Sequence, residues 1–205
     1  RWRDNMLTSE IEKLSNRAGY LSIGITEKGE PIRTIGVPWE TTAHAFNMRL
    51  PDVYIAPEDL KDEETMKKIS SCKVIGCYIW QPLADYGFLT SFPDLQDINI
   101  KNGDSLCNLD FLSELHECRM LYLQNAKLSD LNVLVNVKKN SKAMFGCLGC
   151  VGLNNCSVVD LSVFETENVQ FSEFLIWMPE GSNQRNRWDV ISARIKRYYE
   201  FHKED

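Results

Sequence analysis

Residues 94–134, DLQDINIKNGDSLCNLDFLSELHECRMLYLQNAKLSDLNVL, read as one phrase said twice. Leu95, Ile98 and Ile100 fill the pattern L-x-x-L-x-L, and Cys118, Leu121 and Leu123 fill the same three slots 23 residues later. Each set is followed by a polar shoulder, KNGDSLCNL or QNAKLSDL, and then by a short apolar stretch, DFLSEL or NVLVNV. A period of this length is read before any single motif, because it decides the architecture.

Working outward, the pattern continues on both sides. Upstream, Val74, Cys77 and Ile79 form one set, and Leu50, Val53 and Ile55 another. Downstream come Phe145, Leu148 and Cys150, then Phe171, Phe174 and Ile176. First slots are separated by 24, 21, 23, 27 and 26 residues, which predicts six coils with insertions in the later ones. In a strand, alternate side chains point to opposite faces, so slots four and six point inward while five and seven point outward. One coil cannot bury its inward residues alone; stacked neighbours make the core continuous. Each buried Leu, Ile or Phe contributes about 1.5–3 kcal/mol.

Residues 48–180 resemble a leucine-rich repeat protein, and 94–134 is similar to the bacterial internalin-like subclass. The likeness is strongest at LQDINIKN and LYLQNAKLSDL. It implies an α/β leucine-rich-repeat solenoid with a short-stranded parallel sheet, and protein–protein interaction as the general function. The family's laddering asparagine would fall at Glu58, Pro82, Gly103, Ala126, Leu153 and Pro179, whereas Asn102 and Asn125 sit one place earlier. The turn after each strand is therefore expected to be satisfied differently.

The chain divides into three regions. Residues 1–47 are an N-terminal α/β cap, with Trp2, Met6, Leu7, Ile11 and Leu14 at helical spacing, Ser9 and Glu12 as a capping box and Gly19 as a stop. YLSIGITEKGEPIRTIGV, residues 20–37, is expected to be a hairpin about EKGE, with a degenerate first coil through Tyr20, Ile23 and Ile25 as the alternative. PWETTAHAFNM reads as a further short helix. Residues 48–180 are the repeat region. Residues 181–205 are a C-terminal helical cap: Trp188, Ile191, Ile195, Tyr198 and Phe201 or His202 make one stripe behind the N-cap Asn186. The opposite face carries Arg194, Lys196, Arg197 and Lys203, but Glu200, Glu204 and Asp205 dilute the charge, so a lid over the last coil is favoured over membrane binding.

The chain has 205 residues, 43% of them apolar, a net charge of −6 and a pI near 5.2. That balance argues against nucleic acid or an anionic membrane as the main partner. No apolar run approaches the roughly 18–20 residues that span a bilayer. Seven cysteines, an odd number set mostly in apolar segments, suit a reducing compartment, so the cytoplasm is expected. A start at Arg1 without Met is compatible with a trimmed leader and export.

Chemistry is sparse. Cys147 and Cys150 have C-x-x-C spacing, which serves redox pairs and zinc half-sites, and Cys156 lies near. A redox pair would open a helix, yet this pair falls on the expected fifth strand, with Cys150 inward and Cys147 outward. Structural thiols are the preferred reading, and a thiol-dependent redox or zinc protein is the alternative. His44, His116 and His202 stand in no metal or nucleophile arrangement, and no G-x-S-x-G, P-loop or H-E-x-x-H string occurs. No catalytic residue, metal or cofactor is expected.

What remains is surface. The outward slots bring Tyr54, Tyr78 and Tyr122 into one row and Trp80 and Trp177 into the next, with Asp97, Asn99, Lys101, Gln124 and Glu173 among them. Aromatics on a rigid sheet anchor protein interfaces. The expected function is a non-enzymatic scaffold whose concave aromatic face receives a protein or peptide, with self-association through the same row or through the open strand edges as a competing use. On that reading, alanine at Tyr78 and Tyr122 would weaken capture and leave the thermal midpoint nearly unchanged.

Overall fold

In the computed structural model the chain is described at residues 11, 13, 19–31, 51–134, 150–160, 162–163, 173–177 and 198–200, with backbone alone at 150, 173–177 and 198–200. Ten strands are seen among these residues: β1 Leu21–Ile25, β2 Val53–Ile55, β3 Val74–Ile79, β4 Asp97–Ile100, β5 Met120–Gln124, β6 Lys127–Asp130, β7 Cys150–Asn154, β8 Ser157–Asp160, β9 Glu173–Trp177 and β10 Tyr198–Glu200. Eight form one parallel sheet in the order β2-β1-β3-β4-β5-β7-β9-β10, and β6 pairs with β8 in a second, two-stranded parallel sheet. The fold is α/β, with few helices.

Register explains the repeat. Val53, Ile23, Cys77, Ile98, Leu121, Val151 and Phe174 lie in one row across the sheet, and Ile55, Ile25, Ile79, Ile100, Leu123, Leu153 and Ile176 in another. The side chains described in these two rows are essentially unexposed and form one apolar core. The return segments close the core from that side. Between β3 and β4, Leu83, Leu89 and Phe92 reach it around a 3-10 turn, Gly87–Ser91. Between β4 and β5, Leu106, Leu109, Leu112 and Leu115 do so around Asp110–Glu114.

The connection from β2 to β3 steps past β1. It carries a 3-10 turn, Pro57–Lys61, and a helix, α1, Glu63–Ser70. Asp62 caps α1: its carboxylate accepts the Thr65 N–H at 2.8 Å, and hydrogen bonding to the Thr65 side chain first and to that N–H second holds the Asp62 carboxyl below its usual pKa. Glu63 and Glu64 occupy the first turn and Lys67 and Lys68 the last, each suited to the helix dipole. Ile69 is the residue that α1 sends into the core.

The sequence expectations need four corrections here. The first concerns β1. Its two edges are taken by β2 and β3, both parallel to it, so LSIGI is an interior strand and not half of a hairpin. All five of its residues are buried, which a two-stranded cap could not achieve. The Ile23 and Ile25 slots of the alternative reading are the ones used, but the strand inserts between β2 and β3 rather than preceding them.

The second correction is a slip of three residues in the fifth set. Leu121 pairs with Val151 and Leu123 with Leu153, so Val151 is inward and Cys150 takes the row of Met120. FGCLGCVGL offers two apolar triplets at equal spacing, Phe145/Leu148/Cys150 and Leu148/Val151/Leu153; pairing of β8 with β6 and the turn at Asn155 select the later one. Phe145 and Leu148 lie outside the described residues.

Third, Tyr198–Glu200 is a strand paired in parallel with β9, where a helix was expected. Two adjacent tyrosines favour a pleated, half-covered position, and the edge of β9 offers hydrogen bonds that a helix end lacks. The remainder of 181–205, the helix at PWETTAHAFNM and most of the first helix lie outside the described residues, though Ile11 is helical and buried in the core.

The fourth correction concerns the asparagines. Asn102, Asn125 and Asn155 each stand two residues after the last inward residue of a strand, Ile100, Leu123 and Leu153, and do ladder, one slot before the position expected from the leucine-rich-repeat resemblance. The Asn102 side-chain amide donates to the Trp80 carbonyl. Asn155 Nδ2 donates to Asn125 Oδ1 at 2.8 Å. Asn125 and Asn155 have φ of 63° and 49°, a left-handed conformation that Asn tolerates better than most residues. At the family slot itself Cys156 stands in place of an asparagine, its Sγ–H 3.4 Å from the Leu123 carbonyl oxygen.

Candidate functional site

The sheet face opposite the core carries the candidate residues. One row runs Tyr54, Gly24, Tyr78, Asn99, Tyr122, Gly152 and Leu175, with Ser22, Gly76, Asp97, Met120, Cys150 and Glu173 beside it. At the strands' carboxyl ends, Gln124, Asn154 and Trp177 are in register, and Trp80 and Lys101, one residue past β3 and β4, continue this third row. The expected clustering by slot is therefore present in the backbone register.

Glycine makes the aromatic part possible. Tyr54 and Trp80 stand on strands separated by β1, yet their ring centroids lie 6.2 Å apart. A Cβ on Gly24 would sit 2.8 Å from the Tyr54 ring, so only a bare backbone lets the ring reach across. Tyr78 stacks on Trp80 at 6.2 Å and 25°, in the range of favourable aromatic pairs. Tyr78 also leans over Gly76, where a Cβ would meet its ring at 3.0 Å and Ser22 Oγ at 2.9 Å. The Ser22 hydroxyl is buried without a hydrogen-bond partner among the described residues.

Further along, Lys101 Nζ lies 4.8 Å above the centre of the Tyr122 ring, a cation–π distance. Asn154 Nδ2 donates to the Tyr122 hydroxyl at 3.0 Å. Asp97 is half-buried, and burial pushes its carboxyl up to about 6 despite the opposing charge of Arg119. Arg119 itself donates to Gln96 Oε1 at 2.6 Å.

Burial divides the expected site. Tyr78 and Tyr122 are each 1% exposed, Asn99 2% and Trp80 9%, so the middle of this face is covered rather than open. Tyr54, Asp97, Lys101 and Gln124 are half-buried and present an edge. Burial also raises the Tyr54 hydroxyl pKa. Glu173 and Trp177 are placed by backbone register alone. Alanine at Tyr78 or Tyr122 would leave a cavity, and at Tyr122 would also take the acceptor from Asn154 Nδ2, so both substitutions cost stability where the sequence had suggested an unchanged midpoint.

Three of the described thiols are poorly disposed to react, whereas Cys107 is exposed and Cys72 half-buried. Cys77, Cys118 and Cys156 are buried. Burial drives the Cys77 thiol pKa far up; Cys118, with Asp97 adding to burial, and Cys156 are each pushed to about 12. A thiol held protonated is neither nucleophile nor metal ligand. Cys147 lies outside the described residues, and Cys150 stands in the row of Asp97 and Met120. Among the described residues, no three His, Cys, Asp or Glu side chains could share a metal ion, and no helix is long and apolar enough to cross a membrane.

No family model, curated protein or solved structure matches this chain.

The sequence reading missed Gly24, Gly152, Asn154 and Asn155. A signal existed: LYLQNAKLSDLNVL at 121–134 repeats as VGLNNCSVVDLSVF at 151–164, an interval of 30 residues that aligns Asn125 with Asn155 and Gln124 with Asn154.

Proposed function

We propose that the chain is a non-enzymatic protein- or peptide-binding scaffold of leucine-rich-repeat type, its core strands from β3 onward stacked as successive coils of a short solenoid and β1 inserted before them. Support for the coil reading comes from the inward rows spaced by 21 to 30 residues and from the asparagine ladder between adjacent turns. The binding edge consists of Tyr54, Asp97, Lys101 and Gln124, and the buried Tyr78, Trp80, Asn99 and Tyr122 hold it rigid from behind. Glu173 and Trp177 extend it by register.

The single observation that carries this reading is the half-buried edge itself. A half-buried aromatic ring, a cation and an amide, Tyr54, Lys101 and Gln124, stand in two adjacent rows of one parallel sheet, with Tyr54 against Trp80, Trp80 against Tyr78 and Lys101 over the Tyr122 ring. Such preorganised groups bind with little ordering cost. The chemistry suits a polypeptide, whose carboxylates, amides and apolar side chains meet all three.

The test is affinity capture with the full chain as bait, followed by titration of each retained protein against wild type and a Tyr54→Ala/Lys101→Ala/Gln124→Ala variant. Loss of about tenfold or more in affinity is expected, since interface anchors each cost over about 1 kcal/mol when truncated. The variant's midpoint should stay near that of wild type. Equal affinity for both proteins would discard the assignment.

A further inference from the structure

Asn102–Gly103 is the one Asn-Gly step in the sequence, and it lies where the chain leaves β4. Geometry requires both residues. Asn102 reaches back to the Trp80 carbonyl at the end of β3. Gly103 reaches forward: its N–H donates to the Gln124 carbonyl at the end of β5, at 2.9 Å. A Cβ on Gly103 would lie 3.1 Å from that same oxygen and 3.2 Å from Ala126 Cβ, so the ladder favours glycine directly after its asparagine.

The same pair has a chemistry of its own. A glycine after asparagine leaves the backbone nitrogen unhindered, which makes this the dipeptide most prone to ring closure. We propose that Asn102–Gly103 is a spontaneous modification site, a succinimide-forming pair that the folded ladder holds shut. In the reaction, Gly103 N loses its proton and attacks Asn102 Cγ; the new C–N bond closes a five-membered imide while the Cγ–Nδ2 bond breaks and ammonia leaves with the proton. Water then adds to one of the two imide carbonyls, giving aspartate or isoaspartate. The net change is consumption of one water and release of one ammonia.

The fold opposes the first step from two directions. The nucleophile's proton is held by Gln124 on one neighbouring strand, and the leaving amide is held by Trp80 on the other. Both bonds must open before the nitrogen can turn onto Cγ. Closure of the ladder afterwards is also impaired. A carboxylate would replace the amide donor opposite the Trp80 carbonyl oxygen, setting acceptor against acceptor, and isoaspartate would add a methylene to the backbone between β4 and the Gly103–Gln124 bond. The pair therefore acts as a one-way record of local opening.

The experiment tracks conversion at residue 102 by peptide-mapping mass spectrometry, with the full chain held in mildly alkaline buffer, folded and in urea. Hydrogen exchange of the Gly103 amide is measured under the folded condition. Conversion should be slower in the folded protein by at least about tenfold, by a factor tracking the Gly103 protection factor, because both report the same opening. Asn102→Asp, one of the products, should lower that protection. Equal rates in the two states would overturn the proposal. So would an unreactive Asn102 in urea, or Asn102→Asp protection unchanged from wild type.

Discussion

At the scale of single residues, the two glycines opposite the core do what no other residue could. Gly76 sits beneath the Tyr78 ring and beside Ser22 Oγ, both buried, so an added methyl has nowhere to go. Gly76→Ala should cost about 1–3 kcal/mol, the usual penalty for overpacking, measured by urea unfolding. Asp97 gives the second residue-scale prediction. Its carboxyl is raised from 3.8 to about 6 mainly by burial, so the folded state prefers the neutral form. Because the folded pKa lies above the unfolded one, the contribution is fully present below about 4 and is lost as pH rises through 6. A shift of about two units corresponds to roughly 2–3 kcal/mol at most. Asp97→Asn should therefore be more stable than wild type at neutral pH, with the advantage disappearing toward pH of about 4; unfolding midpoints across that range would check it. None of this was legible in the sequence, where Asp97 reads as one more outward slot and a glycine carries no label for the ring that lies above it.

At the scale of elements, the repeat was legible wherever one strand succeeds another at nearly constant interval. Ile98, Ile100, Leu121 and Leu123 are in the expected rows because their slots are inward and a single-residue slip would expose them. The fifth set was misread because two apolar triplets overlap there, and the turn beyond the strand decides the register between them. The left-handed turns at Asn125 and Asn155 are that decision made visible. Asn155→Gly should be tolerated, whereas Asn155→Val should lose about 1–2 kcal/mol, because a β-branched residue is strained at positive φ. Thermal unfolding of the two variants side by side would distinguish a conformational requirement from a simple loss of the 2.8 Å contact with Asn125, which both substitutions remove.

At the scale of the whole molecule, one insertion governs the arrangement. β1 lies between β2 and β3, buried throughout, while β2 and β10 form the sheet's ends among the described residues. The ladder continues past β1 on both sides, through Thr26 N–H to the Ile55 carbonyl at 3.0 Å and Trp80 N–H to the Ile25 carbonyl at 2.9 Å. Amide exchange should accordingly be slowest in β1 and β3 to β5, approaching the global unfolding rate, and much faster in β2 and β10, which open locally. Ile23→Ala, at the centre of that inserted strand, should cost about 2–5 kcal/mol and release β2 as well. Comparable exchange in β1 and in β2 would show that the insertion does not hold the sheet together.

The sequence by itself determined that the chain repeats, which side chains of most strands point inward, and that the strands run parallel, because apolar slots at fixed intervals can be buried only by stacking equivalent strands side by side. Tertiary structure alone decided three things: where the first strand enters, which of two triplets supplies β7, and that the aromatic face is covered in its middle and half-open at its edge. Those outcomes depend on contacts between segments distant in the chain, and local pattern holds no information about which distant neighbour will be there.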